Sequence, residues 1–534
     1  MTMMKTIYTL LLCSVLLIQV STAQDISDEK ISVRKNFVSD DINAQPLTSL
    51  FSSSVSNPSG QLTVSQDSLM SFAAPSVEIS ADIEPLAYQQ PKIDEGSYGH
   101  LMATVGTLNP LALQGALYHK VDNYFSVQAI AAYDNWNDQS ITNKQFKNFD
   151  GTLNTSYYVT DHSEFNLSLG GRSSNQGAFS DLNRSESQDT SRTRDFSVTM
   201  DYHTFHGDQL SFDYGVNVSY NTSRSNLIDT SESLWIISPQ LSKGLSQEVK
   251  VVASSKNYLP TSFGTTTDVV SNNNVGFIWN KQRFTLNAGG TFNRSTDRNS
   301  LYPAVKANVY FSQENTLSFS VQERIDYQGL RNTTTVNPFL NNSFEQPFAT
   351  RIREHSIALR NNVTDRVSVS AQLSRNYYFD DINWELSDDN RRFFDIDRID
   401  YDAWVAKLNF TVEAHTLLDI NTSFTKSIYN SDVVLLYRPE HKLNLNGTFH
   451  TVDRKFEASL SVNFSDRQIT DVLATGIEVT SDYRYDLGIH INYRPLDLLT
   501  IQLNGTNLLN NEFEVLRGYD TFSRNLSASI LLKF

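Results

Sequence analysis

The sequence predicts an all-β protein, a transmembrane up-and-down antiparallel β-barrel of about 22 strands. Three observations predict it. From Tyr98 onward, apolar and polar residues alternate with period 2 almost without a break, so the sheet has two different environments. Short polar turns alternate with longer polar and aromatic loops along the same stretch, as in a barrel with turns on one side of a membrane and loops on the other. The last segment, Leu526 to Phe534, puts Leu526, Ala528, Ile530, Leu532 and Phe534 on one face and Asn525, Ser527, Ser529 and Lys533 on the other. Leu531 is the one apolar residue on that second face. A strand of this kind ending in Phe is a closing stave that meets lipid.

In chain order, the first element is an export signal over residues 1–23. Lys5 gives a positive n-region, Ile7 to Val20 an apolar stretch of 14 residues, and Ser21-Thr22-Ala23 small residues before a cut at Gln24. Fourteen residues do not span a bilayer as a helix. Leu10, Leu11 and Leu12 ahead of Cys13 do not make a lipobox. Cys13 is the only cysteine, so the exported chain carries no disulfide, thiolate nucleophile or Cys-ligated metal. Without Lys5, 42 basic residues face 59 acidic ones, a net charge of −17, which excludes nucleic acid as a partner because phosphate binding needs positive density.

Residues 24–96 form the second element. They are rich in Ser, Asp and Pro, as in Ser52-Ser53-Ser54 and Asn57-Pro58-Ser59-Gly60, and lack sustained periodicity. They read as a flexible periplasmic or luminal segment with short strands near Gln61–Val64 and Val77–Ile83.

Residues 97–534 form the barrel. Phe456, Ala458, Leu460, Val462 and Phe464 oppose Glu457, Ser459, Ser461 and Asn463. Tyr485, Leu487, Ile489, Ile491 and Tyr493 oppose Asp486, Gly488, His490 and Asn492. Helical spacing is not sustained here. Short turns are expected near Val121–Asn123, Asp161–Ser163, His206–Asp208, Lys243–Ser246 and Asn280–Gln282. Further ones fall near Gln313–Asn315, Asn362–Asp365, Ala414–Thr416, Val452–Arg454 and Arg494–Asp497. Between them lie long loops such as Asp134–Asn148, Ser173–Thr193, Gln328–Thr350, Tyr378–Ile399 and Asn507–Ser523. Strands of about 10 residues are the length that lipid requires.

From Tyr483 to Phe534 a strand ends at Tyr493-Arg494-Pro495, and the next runs from Leu499 into Gly505-Thr506-Asn507-Leu508-Leu509-Asn510. A loop with Phe513 and Gly518-Tyr519 follows, and the last strand opens at Ser523-Arg524-Asn525. This stretch, about a tenth of the chain, resembles the C-terminal end of TonB-dependent outer-membrane receptors. The resemblance implies a 22-strand transport barrel in a Gram-negative, Bacteroidota-type outer membrane. That family carries a folded plug ahead of the barrel, and residues 24–96 show no plug-like sequence, so the resemblance is to a plugless relative. Val77-Glu78-Ile79-Ser80-Ala81 is weakly similar to a TonB box.

No motif assembles an active site, a metal site or a cofactor site, and the chain reads as a non-enzyme. The ten histidines are scattered and none has HExxH spacing. The charge cluster Asp380 to Asp402 lacks DxDxDG spacing and reads as a solvated, self-paired loop rather than a Ca²⁺ site. Aromatics such as Trp235 and Trp279 read as interfacial girdles, and Tyr378, Trp384, Phe393, Phe394 and Tyr401 as ligand-contacting loop aromatics. A barrel this wide leaves a lumen that inward side chains do not fill. Its closure falls to residues 24–96, to loops such as Gln328–Thr350, or to a periplasmic or lipoprotein partner, with outer-membrane lipids around the wall. The functional expectation is a transport or channel component; the alternative is a non-transporting scaffold subunit of an outer-membrane complex.

Overall fold

The structure, a computed structural model, describes residues 97–534 except 123, 139–143, 161, 178–189, 206–209, 228, 263–264, 267–268, 296–297, 313–314, 341–346, 365, 388–393, 416 and 473–474. The expected signal segment and residues 24–96 lie outside the described residues. Twenty-two antiparallel strands close into one ring, from Ser97–Gly106 to Asn525–Lys533. Each of the ten expected short turns falls at the junction of two consecutive strands, and several, such as Asn362–Asp365 and Arg494–Asp497, begin within the end of the preceding strand. Side chains close several of them: Asp122 Oδ1 accepts from the Tyr124 and Phe125 amides at 2.7 and 2.8 Å, and Ser246 Oγ accepts from the Val249 amide at 3.1 Å.

The ring closes where the last strand pairs with the first, from His100↔Lys533 to Gly106↔Ser527. Phe534 continues that ladder: the Gly99 amide donates to Phe534 O at 2.6 Å, and the Phe534 amide donates to Gly99 O at 2.9 Å. Ile530, Leu532 and Phe534 are exposed on the outer face while Ser529 and Leu531 are buried on the inner one. The same parity holds around the wall, with Phe196, Trp235, Phe277, Phe319 and Leu408 exposed outward. Trp235 tilts onto Tyr220, and Trp279 meets the Phe284 ring edge-on, aromatic pairs of the kind that flank a lipid band.

Two expectations need correction. Strands are not uniformly about 10 residues: Val367–Leu386 has 20 and Phe394–His415 has 22. At about 3.3 Å per residue, the longer reaches about 70 Å, well beyond a hydrocarbon core of ~30 Å. The span Tyr378–Ile399 is therefore largely a paired hairpin, and the short connections 107–110, 226–229 and 295–298 on the loop side break the strict long–short alternation. The second correction is one helix, Leu330–Val336, inside a span read as loop. Its run Leu-Arg-Asn-Thr-Thr-Thr-Val is held by threonine hydroxyls that donate back one turn: Thr333 to Gly329 O, Thr334 to Leu330 O and Thr335 to Arg331 O, at 2.7–2.9 Å.

The wall also folds into itself. Val305↔Val321 is the last pair between Asn299–Tyr310 and Thr316–Gln328, yet the latter stays paired with Phe348–Thr364 up to Gln328↔Phe348. Beyond Val321 this hairpin leans into the lumen. Glu323, Ile325 and Tyr327 share the parity of the outward Phe319 but are buried. Glu323 accepts from Asn293 Nδ2 at 2.8 Å, from the Ser300 hydroxyl, and from Arg353 Nε at 2.5 Å. Tyr327 stacks on Tyr258 and Ile325 packs with Val270. Asn293, Ser300, Tyr258 and Val270 stand on the inner face of the neighbouring wall, and Arg353 is on the partner strand of the hairpin itself.

At the seam, a Cβ on Gly99 would lie 2.7 Å from Leu117 Cδ2, 2.8 Å from Phe534 Cε2 and 3.0 Å from Ala116 O. Gly99→Val is expected to lower stability by about 1–3 kcal/mol through overpacking, measured by urea unfolding in detergent micelles. An unchanged midpoint would show that the seam has slack.

Candidate functional site

The connection between Thr316–Gln328 and Phe348–Thr364 crosses the loop-side mouth. At its start, Glu232 on a strand five places back in the ring accepts from the Leu330 amide at 2.5 Å and from the Tyr327 hydroxyl. Further on, Ser191 Oγ donates to Pro338 O at 2.7 Å. Its far side meets the connection before the last strand, where Phe339 stacks on Tyr519 with centroids 4.1 Å apart. Contacts this distant around the ring require a chord through the opening.

Around that chord lies an apolar cap. Leu330, Val336, Phe339, Leu340, Phe348, Ile382, Trp384, Phe394, Leu436, Tyr437, Leu516 and Tyr519 bury one another, joining four loop-side connections. Tyr437 donates to Thr470 O at 2.8 Å and accepts from the Arg517 amide at 3.2 Å. Burial pushes its phenol up, so the hydroxyl keeps its proton and its donor role. The motif at Gly505–Asn510 positions the last loop: Asn507 and Asn510 adopt φ of 47° and 52°, which Asn tolerates better than most residues. Asn507 Nδ2 donates to Asn511 O and Phe522 O. Gly518, at φ 79°, turns Tyr519 into the cap.

Beneath the cap is a cavity of about 410 Å³. Two stacked tyrosine pairs line it: Tyr258 with Tyr327 at 4.9 Å, and Tyr378 with Tyr401 at 4.5 Å, each with planes 11° apart. Glu232, Asp326 and Asp381 and three cations, Lys256, Arg331 and Arg438, also line it. Several of these charges hold the fold. Arg438 Nη2 donates to Asp381 Oδ2 at 2.6 Å and to Ile382 O at 2.8 Å, and the guanidinium covers the Tyr401 ring at 4.8 Å. Lys256 lies over the Tyr258 ring at 5.2 Å, and Arg331 reaches Asn221 Oδ1 at 3.5 Å. These two are the lining cations best placed to meet a solute. Among the described residues, no histidine or cysteine lines the cavity. Its chemistry is that of binding, through aromatic faces and charges of both signs.

Of the loop aromatics singled out in the sequence, Tyr378 and Tyr401 line the cavity. Trp384 and Phe394 are sealed in the cap at 2% and 0% exposure and offer no face to a ligand, and Phe393 lies outside the described residues. In the cluster from Asp380 to Asp402, the paired members are strand residues. Asp381 holds Arg438, Asp402 holds Arg375 at 3.3 Å, and Asp400 meets Arg298 at 3.3 Å. Sequence reading missed Glu232, Lys256, Tyr258, Tyr327, Arg331 and Arg438. The inward parity of Glu232, Lys256 and Tyr258 near their strands' loop-side ends was the available signal.

No protein-family model and no curated protein sequence matches the chain. Solved structures do match in fold. A siderophore receptor, PirA from Acinetobacter baumannii, aligns over 83% of this chain and 81% of its own at 10% identity, with a TM-score of 0.64. The FrpB iron transporter of Neisseria meningitidis aligns over 83% and 82% at 10% identity, TM-score 0.65. The ferripyoverdine receptor of the outer membrane of Pseudomonas aeruginosa covers 82% and 72% at 11% identity, TM-score 0.60. At these identities the likeness is one of fold: a large antiparallel β-barrel.

Arg438→Met leaves the half-buried Asp381 without its cation and is expected to cost about 2–3 kcal/mol, less than for a fully buried pair. Adding Asp381→Asn should recover most of that loss in a double-mutant cycle read by chemical unfolding in micelles. Additive losses would show that the two side chains are not coupled.

Proposed function

We propose that this chain is a receptor-like transport or channel component of the outer membrane that binds a small solute in its lumen before passage. The observation carrying this reading is the aromatic and charged cavity inside a 22-strand wall, roofed by its own loops. A roof placed across the mouth restricts free diffusion, and a lined cavity beneath it selects by contact. The proteins of like fold are described as siderophore receptors and an iron transporter. They support the class of process, uptake of a small solute across the outer membrane, and leave the cargo open. In this reading the chain works without a plug domain of its own. The opposite mouth is closed by residues 24–96 or by a periplasmic or lipoprotein partner.

Planar-bilayer recording tests the proposal. The full chain should conduct little, deletion of 329–347 alone should conduct less than deletion of 329–347 together with 24–96, and that double deletion should open a stable pore. Silence of all three proteins, together with stoichiometric recovery of a partner from the membrane, would replace transport with the scaffold role.

A further inference from the structure

On the loop-side ends of five consecutive strands, Phe125–Asn137 through Phe212–Ser225, the outward positions carry cations and no acids. The lumen-facing ones carry both signs, with Arg172 in register between Asp150 and Asp195. Lys147, Arg192, Arg194 and Arg224 are exposed and share the outward parity of Phe149 and Phe196. The inward parity is fixed by Ser191, whose hydroxyl meets the loop that crosses the lumen. Register places these cations in two adjacent rows. One runs Asn135–Lys147–Asn175–Arg192, and the other Tyr133–Phe149–Ser173–Arg194–Arg224–Ser231. Neither row contains a carboxylate. The acids of the same strand ends, Asp134, Asp150 and Asp195, stand on the alternate, lumen-facing positions, as does Glu232 on the next strand. In a chain with a net charge of −16, the charged residues of these two outward rows are thus all cationic.

Arg194 and Arg224 are directly opposite each other across the strand pair. Like charges so placed destabilise a sheet unless something answers them. Among the described residues the one ion pair on these four cations is Arg224 with Asp229, at 3.6 Å, with the side chains 70% and 91% exposed. Such a pair in water contributes little. The row below holds Phe196 beside Gly171, Thr222 and Ser233, and the next is apolar and aromatic, with Leu169, Val198, Tyr220 and Trp235 in register. Arg224 stands four residues beyond Tyr220, about 13 Å along the strand, where a headgroup would lie above a lipid-facing girdle.

We propose that this face is a binding site for a phosphate-bearing lipid of the outer leaflet. Its phosphates meet Arg192, Arg194 and Arg224, with Lys147 alongside, and its acyl chains lie on the apolar row below. Arginine suits the task because its planar fork takes phosphate oxygens bidentately, and its stem packs on apolar surface while the head stays at the interface.

The test uses the full chain, delipidated in dodecyl-maltoside micelles and titrated with diphosphoryl lipid A or with dioleoylphosphatidylcholine, with bound lipid counted by native mass spectrometry. Lipid A should bind and phosphatidylcholine should not at equal concentration. Arg192→Gln/Arg194→Gln/Arg224→Gln should weaken lipid A on the order of a hundredfold, whereas Arg366→Gln in a turn at the opposite rim should not. Inorganic phosphate in millimolar excess should leave the lipid bound, because it gains nothing from the apolar row. Equal binding of both lipids, an unaffected triple variant, or displacement by inorganic phosphate would overturn the proposal, the last in favour of a free-anion site. If the triple variant does not fold, Arg194→Gln alone decides. It should raise the melting temperature in lipid-free micelles by relieving the Arg194–Arg224 repulsion, and weaken lipid A about fivefold. Unchanged lipid affinity in that variant would overturn the proposal equally.

Discussion

In hydrocarbon no water answers an open backbone amide or carbonyl, so a sheet in that solvent has to close on itself. The hydrogen bonds between Gly99 and Phe534 are where this chain meets that demand. The rest follows from closing a ring of 22 strands. Alternate side chains face lipid, which makes half of each strand apolar and half polar. A ring this wide leaves a lumen that its own inward side chains do not fill, and the loop-side half of the molecule is organised around occupying it.

Two devices do so. The hairpin of Thr316–Gln328 and Phe348–Thr364 leans inward and makes a second layer against the wall, so that Glu323, placed by parity to face lipid, ends in a fully hydrogen-bonded interior position. Its buried charge is tolerable because Asn293, Ser300 and Arg353 together answer the carboxylate. The second device is the cap, whose apolar residues come from four connections and whose underside is fixed by Glu232 and Arg438. The same charges line the cavity, so the residues that shape the site also hold its roof.

The lipid-embedded part of this architecture was legible in the sequence and the rest was not, for a physical reason. Inside the bilayer, period 2 is enforced residue by residue, and turns such as Asp122–Phe125 are closed by local side chains, so strand number and turn positions could be read directly. Beyond the bilayer, strands such as Phe394–His415 continue with both faces partly polar, and they read as loop. The cap depends on contacts between residues such as Phe339 and Tyr519, which have no local signature. Tyr378 and Tyr401, singled out in the sequence as aromatics near a loop, line the cavity. Glu232, Tyr327 and Arg438 escaped because only the inward lean of the wall gives them a common cavity. The motif from Gly505 to Asn510 was read as a mark of kinship, and its asparagines prove to have a mechanical task in the last loop.

The stack of Phe339 on Tyr519 carries a consequence for the order of assembly. One ring precedes the fourteenth strand of the wall and the other precedes the twenty-second, so the two meet only when the final hairpin is in place. Wall insertion thus comes first and lid formation last. A chain halted one strand short would lack both the closed wall and the Tyr519 half of its lid. Coupling the lid to the final stave means that the same late event that closes the wall also covers its mouth.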